Sequence, residues 1–138
     1  VWFGPEQMLA ECNIKVDIAS AKVFFEKCPA NCVVSQFFIG WKMLTGNVLI
    51  EQERKNPVAE SYFVHSHGNR SSWDLTSAYY AIFGTGDIFT LEARGNVTVN
   101  DEGITTFTGC ENGKIRLLAC PSTDAAAKRI DEIITGRI

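Results

Sequence analysis

Basic residues are scarce in this chain. Lys and Arg number 13 against 16 Asp and Glu, for a net charge of -3 and a pI near 5.4. Nowhere do they gather into a stripe that could neutralise phosphates, which argues against a nucleic-acid partner. Long apolar runs are missing too, and without a run near the length of a bilayer no membrane partner is expected. The opening Val1-Trp2-Phe3-Gly4-Pro5 has no basic segment leading into an apolar one, so no secretory leader is expected. It also lacks a Met, which fits a processed or partial chain. No serine sits in a G-x-S-x-G elbow. Gly84-Thr85-Gly86-Asp87 lacks the third glycine and the preceding strand of a dinucleotide loop, and so reads as a helix terminator.

Disulfide pattern is absent as well. Cys12, Cys28, Cys32, Cys110 and Cys120 make an odd set of five, and Cys28 and Cys32 flank Pro29-Ala30-Asn31 in a spacing that is neither CxxC nor half a zinc knuckle. Buried, reduced thiols in a cytoplasmic protein are the expectation, with Cys28 and Cys32 unbridged. What the chain does have is apolar content, 46% over 138 residues with mean hydropathy near zero. That is enough for a globular domain with a real core.

The centre of the pattern is Ser71-Ser72-Trp73-Asp74-Leu75-Thr76. Leu75, Ala78, Tyr79 and Ile82 recur at helical spacing and predict an inward stripe. Ser71 with Asp74 three residues on predicts a capping box, which places the Asp74 carboxylate in the first turn near the positive end of the helix dipole. An acid held there serves a structural cap or a hard-metal ligand. Capping boxes are far commoner, so this window by itself reads as a cap.

Before that stretch, residues 1–13 read as irregular. Asp17 caps a helix to about Cys28 with Ile18, Ala21, Phe25 and Cys28 inward, and Pro29 stops it. Cys32 to Ile39 reads as one buried strand, and Gly40 to Thr45 as a helical turn ended by Gly46. Asn56-Pro57 starts a helix to about Val64, and His65 to Arg70 is polar loop. After Gly84–Asp87, short β-rich runs at Ile88–Leu91, Asn96–Asn100, Thr105–Cys110 and Lys114–Leu118 predict an antiparallel meander. Its turns are Asn100-Asp101-Glu102-Gly103 and Asn112-Gly113. Ser122 or Thr123 caps a last helix with Ala126, Ile130, Ile133 and Ile134 inward and Gly136 closing it.

Two further groups of residues carry chemistry. His65-Ser66-His67 would share a face only on a strand; at a helix end they read as solvated histidines. Glu11 and Asn13, two apart ahead of a helix, offer an acceptor and a mixed donor–acceptor suited to gripping a hydroxyl. Two solvated polar residues in a loop is the plain reading of the same pair.

Taken in order, these segments resemble the second half of the nucleoside hydrolases, the inosine-uridine-preferring type and its bacterial relatives. Glu11-Cys12-Asn13-Ile14-Lys15-Val16-Asp17 with Ala19–Phe25 is similar to the family's E-(aromatic)-N loop and following helix. Val33–Gly40 with Leu44-Thr45-Gly46, Asn56–Tyr62, Arg70–Thr76 with Tyr79-Tyr80-Ala81, and Gly95–Val99 with Asp101-Glu102-Gly103 are similar to the segments that follow. The resemblance implies an α/β fold over residues 1–138, a single domain or fragment corresponding to the family's C-terminal portion. Helices would surround a short buried strand, with an antiparallel meander and a C-terminal helix. It implies calcium-dependent cleavage of the N-glycosidic bond of ribonucleosides. Asp74 would be the late calcium ligand. Glu11 and Asn13 would hold the ribose 5'-hydroxyl, and Trp73 would stack on the base where many members carry a histidine.

The family's Asp-rich D-x-D-x-x-x-D-D loop has no counterpart here. Asp17, Asp74, Asp87, Asp101, Asp124 and Asp131 lie too far apart in sequence to form it. The expectation is therefore a part of such an enzyme, inactive alone, with calcium held only when the missing half is supplied and with a homo-oligomer or a complementary chain as partner. The rival expectation is a non-catalytic interaction or assembly domain. Apolar surface around Cys32–Ile39 is expected to seek that partner.

Overall fold

The computed structural model describes residues 10–29, 31–50 and 56–137. Among them the chain is mixed α/β, with seven helices, one four-stranded mixed sheet and a two-stranded ribbon. It divides into two compact units, Val1–Phe38 with Leu91–Ala119, and Ile39–Thr90 with Cys120–Ile138. No helix among the described residues is long and apolar enough to cross a membrane.

The first unit begins with α1 (Cys12–Val16) and α2 (Ile18–Lys27). Asp17 is the N-cap of α2, its carboxylate accepting the Ser20 amide at 2.9 Å and the Ser20 hydroxyl at 2.7 Å. Phe25 and Cys28 are buried, with Ala21 packed against them. Residues 1–9 of the segment read as irregular lie outside the described residues, and from Cys12 onward that segment is helix, so Asn13 stands in a helical turn and not in a loop.

The sheet corrects the expected meander. Strands β1 (Cys32–Ser35), β4 (Thr90–Val99), β5 (Thr105–Gly109) and β6 (Ile115–Ala119) lie in the order β1-β6-β4-β5, while β2 and β3 belong to the ribbon of the second unit. β4 and β5 form the expected antiparallel hairpin, Val97 opposite Phe107. Asn100 shapes its turn by accepting the amides of Glu102 (3.1 Å) and Ile104 (2.8 Å). β6, however, does not pair with β5. It runs parallel to β1, with Cys32 opposite Ile115 and Val34 opposite Leu117. The reason is burial. Ile115, Leu117 and Leu118 are all buried, so both faces of β6 need cover and the strand takes an interior place. The polar β5, Thr105-Thr106-Phe107-Thr108-Gly109, suits an edge. The turn before β6 packs backbone against β4, where a Cβ on Gly113 would lie 2.3 Å from the Gly95 carbonyl oxygen.

The expected strand Cys32–Ile39 also divides. Its ladder stops at Ser35 opposite Leu118. The Gln36 side-chain amide then donates to the Leu118 carbonyl at 3.3 Å, and Phe37 opens α3 (Phe37–Lys42). Residues 32–39 are buried or half-buried throughout, so exposed apolar surface lies elsewhere: Val16 and Phe24 in this unit, Leu44 and Ile82 in the other. All five cysteines are free thiols.

The second unit contains the ribbon β2 (Leu44–Thr45) and β3 (Arg70–Ser71), with α4 (Asn47–Ile50), α5 (Pro57–Ser66), α6 (Trp73–Phe83) and α7 (Thr123–Ile134). The turn read over Gly40–Thr45 is thus the end of α3 followed by β2. Asn56 caps α5 by accepting the Val58 amide at 2.9 Å, and Ser122 caps α7 by accepting the Ala125 amide at 3.3 Å. α5 runs one turn-fraction further than expected and takes in His65. Met43, Leu49, Ala59, Tyr79, Phe89, Ala126 and Ile130 are buried here.

Candidate functional site

The amphipathic stripe on α6 does not face inwards as a whole. Tyr79 is buried, but Ala78 is exposed and Ile82 is 72% exposed. α6 is apolar on several sides, so periodicity fixes its rotation weakly, and hydroxyls decide it. Thr76 and Ser72 are buried. The Thr76 hydroxyl donates to the Ser72 carbonyl at 2.6 Å, and the Ser72 and Thr45 hydroxyls are 2.6 Å apart. The Thr45 hydroxyl also reaches the Tyr62 hydroxyl at 3.1 Å. A buried hydroxyl without a partner is costly, so the helix turns to satisfy all of them together.

This network replaces the expected capping box. Ser72, not Ser71, is the N-cap, and its side chain caps no helix amide because it is committed to Thr45. The Ser71 hydroxyl donates to the Trp41 carbonyl at 3.0 Å. Asp74 is left in the first turn, exposed. Backbone contact fixes where that turn begins. The Ser72 amide donates to the Gly40 carbonyl at 2.8 Å, and a Cβ on Gly40 would lie 2.5 Å from the Trp73 Cα. Only glycine allows that approach. The Arg70 guanidinium carbon lies 5.4 Å from the Trp73 ring centroid, a cation–π distance.

Glu11 and Asn13 are brought together. Glu11 is the N-cap of α1, and the Asn13 side-chain amide donates to its carboxylate at 3.1 Å. Buried Ile14 anchors the turn, leaving one Glu11 oxygen and the Asn13 carbonyl as acceptors at the surface. This pair belongs to the first unit, whereas Trp73 and Asp74 belong to the second.

Few oxygen donors among the described residues gather as calcium requires. That ion takes 6–8 oxygens, and among the described residues no three His, Cys, Asp or Glu side chains converge. Asp74 brings a single carboxylate, so the described residues do not fit the ion by themselves. His65 lies on α5 and His67 is its left-handed C-cap, φ 53, against the Phe63 ring; they do not share a strand face. Asp101 pairs with Lys22 at 2.5 Å, and Asp87 accepts from the Tyr79 hydroxyl at 3.4 Å.

Sequence reasoning missed Thr45, Ser72, Tyr62, Gly40 and Asp131. Ser72 and Thr76 at helical spacing were a visible signal for the first group. Nothing local marks Asp131, whose carboxylate accepts the Gly46 amide at 2.9 Å and is held above its ordinary value by burial. The chain matches no family model, no curated protein and no solved structure.

Proposed function

We propose that the chain is the C-terminal portion of a nucleoside-hydrolase-like protein, handling the sugar and base of a ribonucleoside but not turning it over alone. One observation carries the reading: five segments resembling that family occur in the family's order, from Glu11 to Gly103. The local arrangements support it. A carboxylate–carboxamide pair at a helix start, Glu11 with Asn13, suits a ribose hydroxyl. Trp73 at the start of α6 suits stacking on a base, beside the exposed carboxylate of Asp74. In such a site Trp73 would orient the base without donating a proton to it. Calcium would need ligands from outside the described residues.

The test is ribose release from inosine and uridine with calcium supplied. The chain alone should be silent. Adding a separate chain that carries the Asp-rich motif should give turnover, and Asp74→Ala should abolish it. Turnover by the chain alone would overturn the claim of inactivity. Complemented turnover indifferent to Asp74 would overturn its role. Persistent silence with every such partner would favour the non-catalytic assembly domain.

A further inference from the structure

A cleft of about 520 Å³ runs along α7 in the second unit, walled on its far side by Leu44 and Val48. On α7 its wall is Asp124, Ala127, Lys128, Asp131 and Glu132, one stripe of the helix at spacings of three and four, with the C-cap Thr135 beyond it; the Glu132 carboxylate is held by Arg129 at 3.4 Å. The floor is apolar, and Leu44 is 48% exposed. The charges follow an order. Asp124 stands in the first turn, Lys128 precedes Asp131 on the stripe, and Arg137 follows the helix.

We infer that α7 is a self-complementary docking face, on which two copies of this chain pair their C-terminal helices antiparallel, each helix lying in the other's cleft. A two-fold axis between Arg129 and Ile130 brings Lys128 of each copy to Asp131 of the other. It sets Asp124 opposite Thr135 of the other copy, within two residues of that copy's Arg137. Parallel pairing would set Asp124 on Asp124 and Arg137 on Arg137, so charge selects the antiparallel arrangement. An isologous contact needs this kind of self-complementarity.

The groups involved are available. The side chains of Asp124, Lys128 and Arg137 are exposed and make no hydrogen bond or ion pair among the described residues. Asp131 is half-buried with one oxygen on the Gly46 amide. Burial holds its carboxyl up, and the cation that would relieve it is what a second copy brings. A twelve-residue helix is about 18 Å long, so the face is small and the dimer is weak and concentration-dependent.

Sedimentation velocity on the full chain, over a wide concentration range at low and high salt, is the test. A reversible monomer–dimer equilibrium weakened by salt is expected. Asp124→Arg and Arg137→Asp should each weaken dimerisation about tenfold or more, and the double swap should restore it. Asp124 stands in the first turn of a helix about 18 Å long and Arg137 lies beyond its far end, so rescue arises only between copies, and the swap leaves net charge unchanged. Circular dichroism establishes that each variant is folded. Should the Asp124 variant not fold, Lys128→Glu at an exposed mid-helix position replaces it, with weaker association expected. A monomer at every concentration, singles that associate normally, or a double swap no better than the singles would each overturn the inference. The last two outcomes would assign the cleft to a different helix or to a small molecule.

Discussion

In the sheet-bearing unit Ile14, Phe25, Cys28, Val34, Val97, Ile115 and Leu117 close on one another, and among the described residues Thr105 is its one buried hydroxyl. In the helical unit Thr45 and Thr76 are as inaccessible as Met43, and Ser72 is nearly so. Apolar burial is large but non-directional. It holds β6 in the sheet interior and tolerates small shifts. A hydroxyl network stabilises less, yet it requires one geometry. In this chain the directional interior lies under the first turn of α6, the turn that aims Trp73 and Asp74. The difference teaches that the second unit gives up apolar packing in return for a defined orientation at its surface.

The contrast can be broken experimentally. The largest effect is expected in the hydrocarbon interior: Ile115→Ala should cost about 2–5 kcal/mol in urea unfolding. A loss below that range would mean the sheet interior is looser than its burial implies. Next, Thr45→Val keeps volume but removes the hydroxyl that the Ser72 and Tyr62 hydroxyls share, at about 1–3 kcal/mol. Combined with Ser72→Ala it should cost less than the sum of the singles. Strict additivity would show that the hydroxyls do not act together. Gly40→Ala should cost about 1–3 kcal/mol by overpacking, and Trp fluorescence should change with it. An unchanged spectrum would separate Gly40 from the placement of Trp73.

The smallest effect sharpens the comparison by sign. In the sheet-bearing unit the Ser20 amide and hydroxyl hold Asp17 below its ordinary 3.8, and hydrogen bonding and charge from Lys22 do the same for Asp101. Their contribution is present above 3.8 and is lost as pH falls through their lowered values. In the helical unit burial raises Asp131, partly countered by the Gly46 amide. Its folded form binds the proton more tightly. The stability it contributes is therefore complete below 3.8 and is lost as pH rises through the raised value. At dilution, Asp131→Asn should raise the melting temperature at neutral pH and lose that advantage in acid, while Asp101→Asn should lower it at neutral pH and not in acid. Parallel pH profiles for the two variants would refute the assignment.

Local chemistry was legible. Asp17, Asn56 and Ser122 cap the helices read from them, and Asn100–Gly103 makes the turn its residues demand. These depend on neighbours in sequence. The place of β6 was not legible, because Asn112-Gly113 fits a hairpin and only the burial of Ile115, Leu117 and Leu118 forces the strand past β4. The start of α6 was misread by one residue for the same reason. Ser71 satisfies the capping pattern, but the partners of Ser72, Thr45 and Gly40, come from 27 and 32 positions away. Of the candidate site, the types and order of Glu11, Asn13, Trp73 and Asp74 were readable, and the hydroxyls supporting the last two were not.

Both units are discontinuous in sequence, and this governs how the chain can fold as it leaves the ribosome. The first unit needs Leu91–Ala119 to join Val1–Phe38, and the second needs Cys120–Ile138 to join Ile39–Thr90. Until Leu91–Ala119 has been made the first unit cannot close, and until Cys120–Ile138 has been made the second cannot. β1 waits for β6, its parallel neighbour some 80 positions later, and long-range pairing of that kind is slow. The helical unit waits longest, since its interior lacks Ala126 and Ile130 until α7 emerges. Until those later segments are made, the apolar segments that precede them stay uncovered, the condition in which chaperones engage a client.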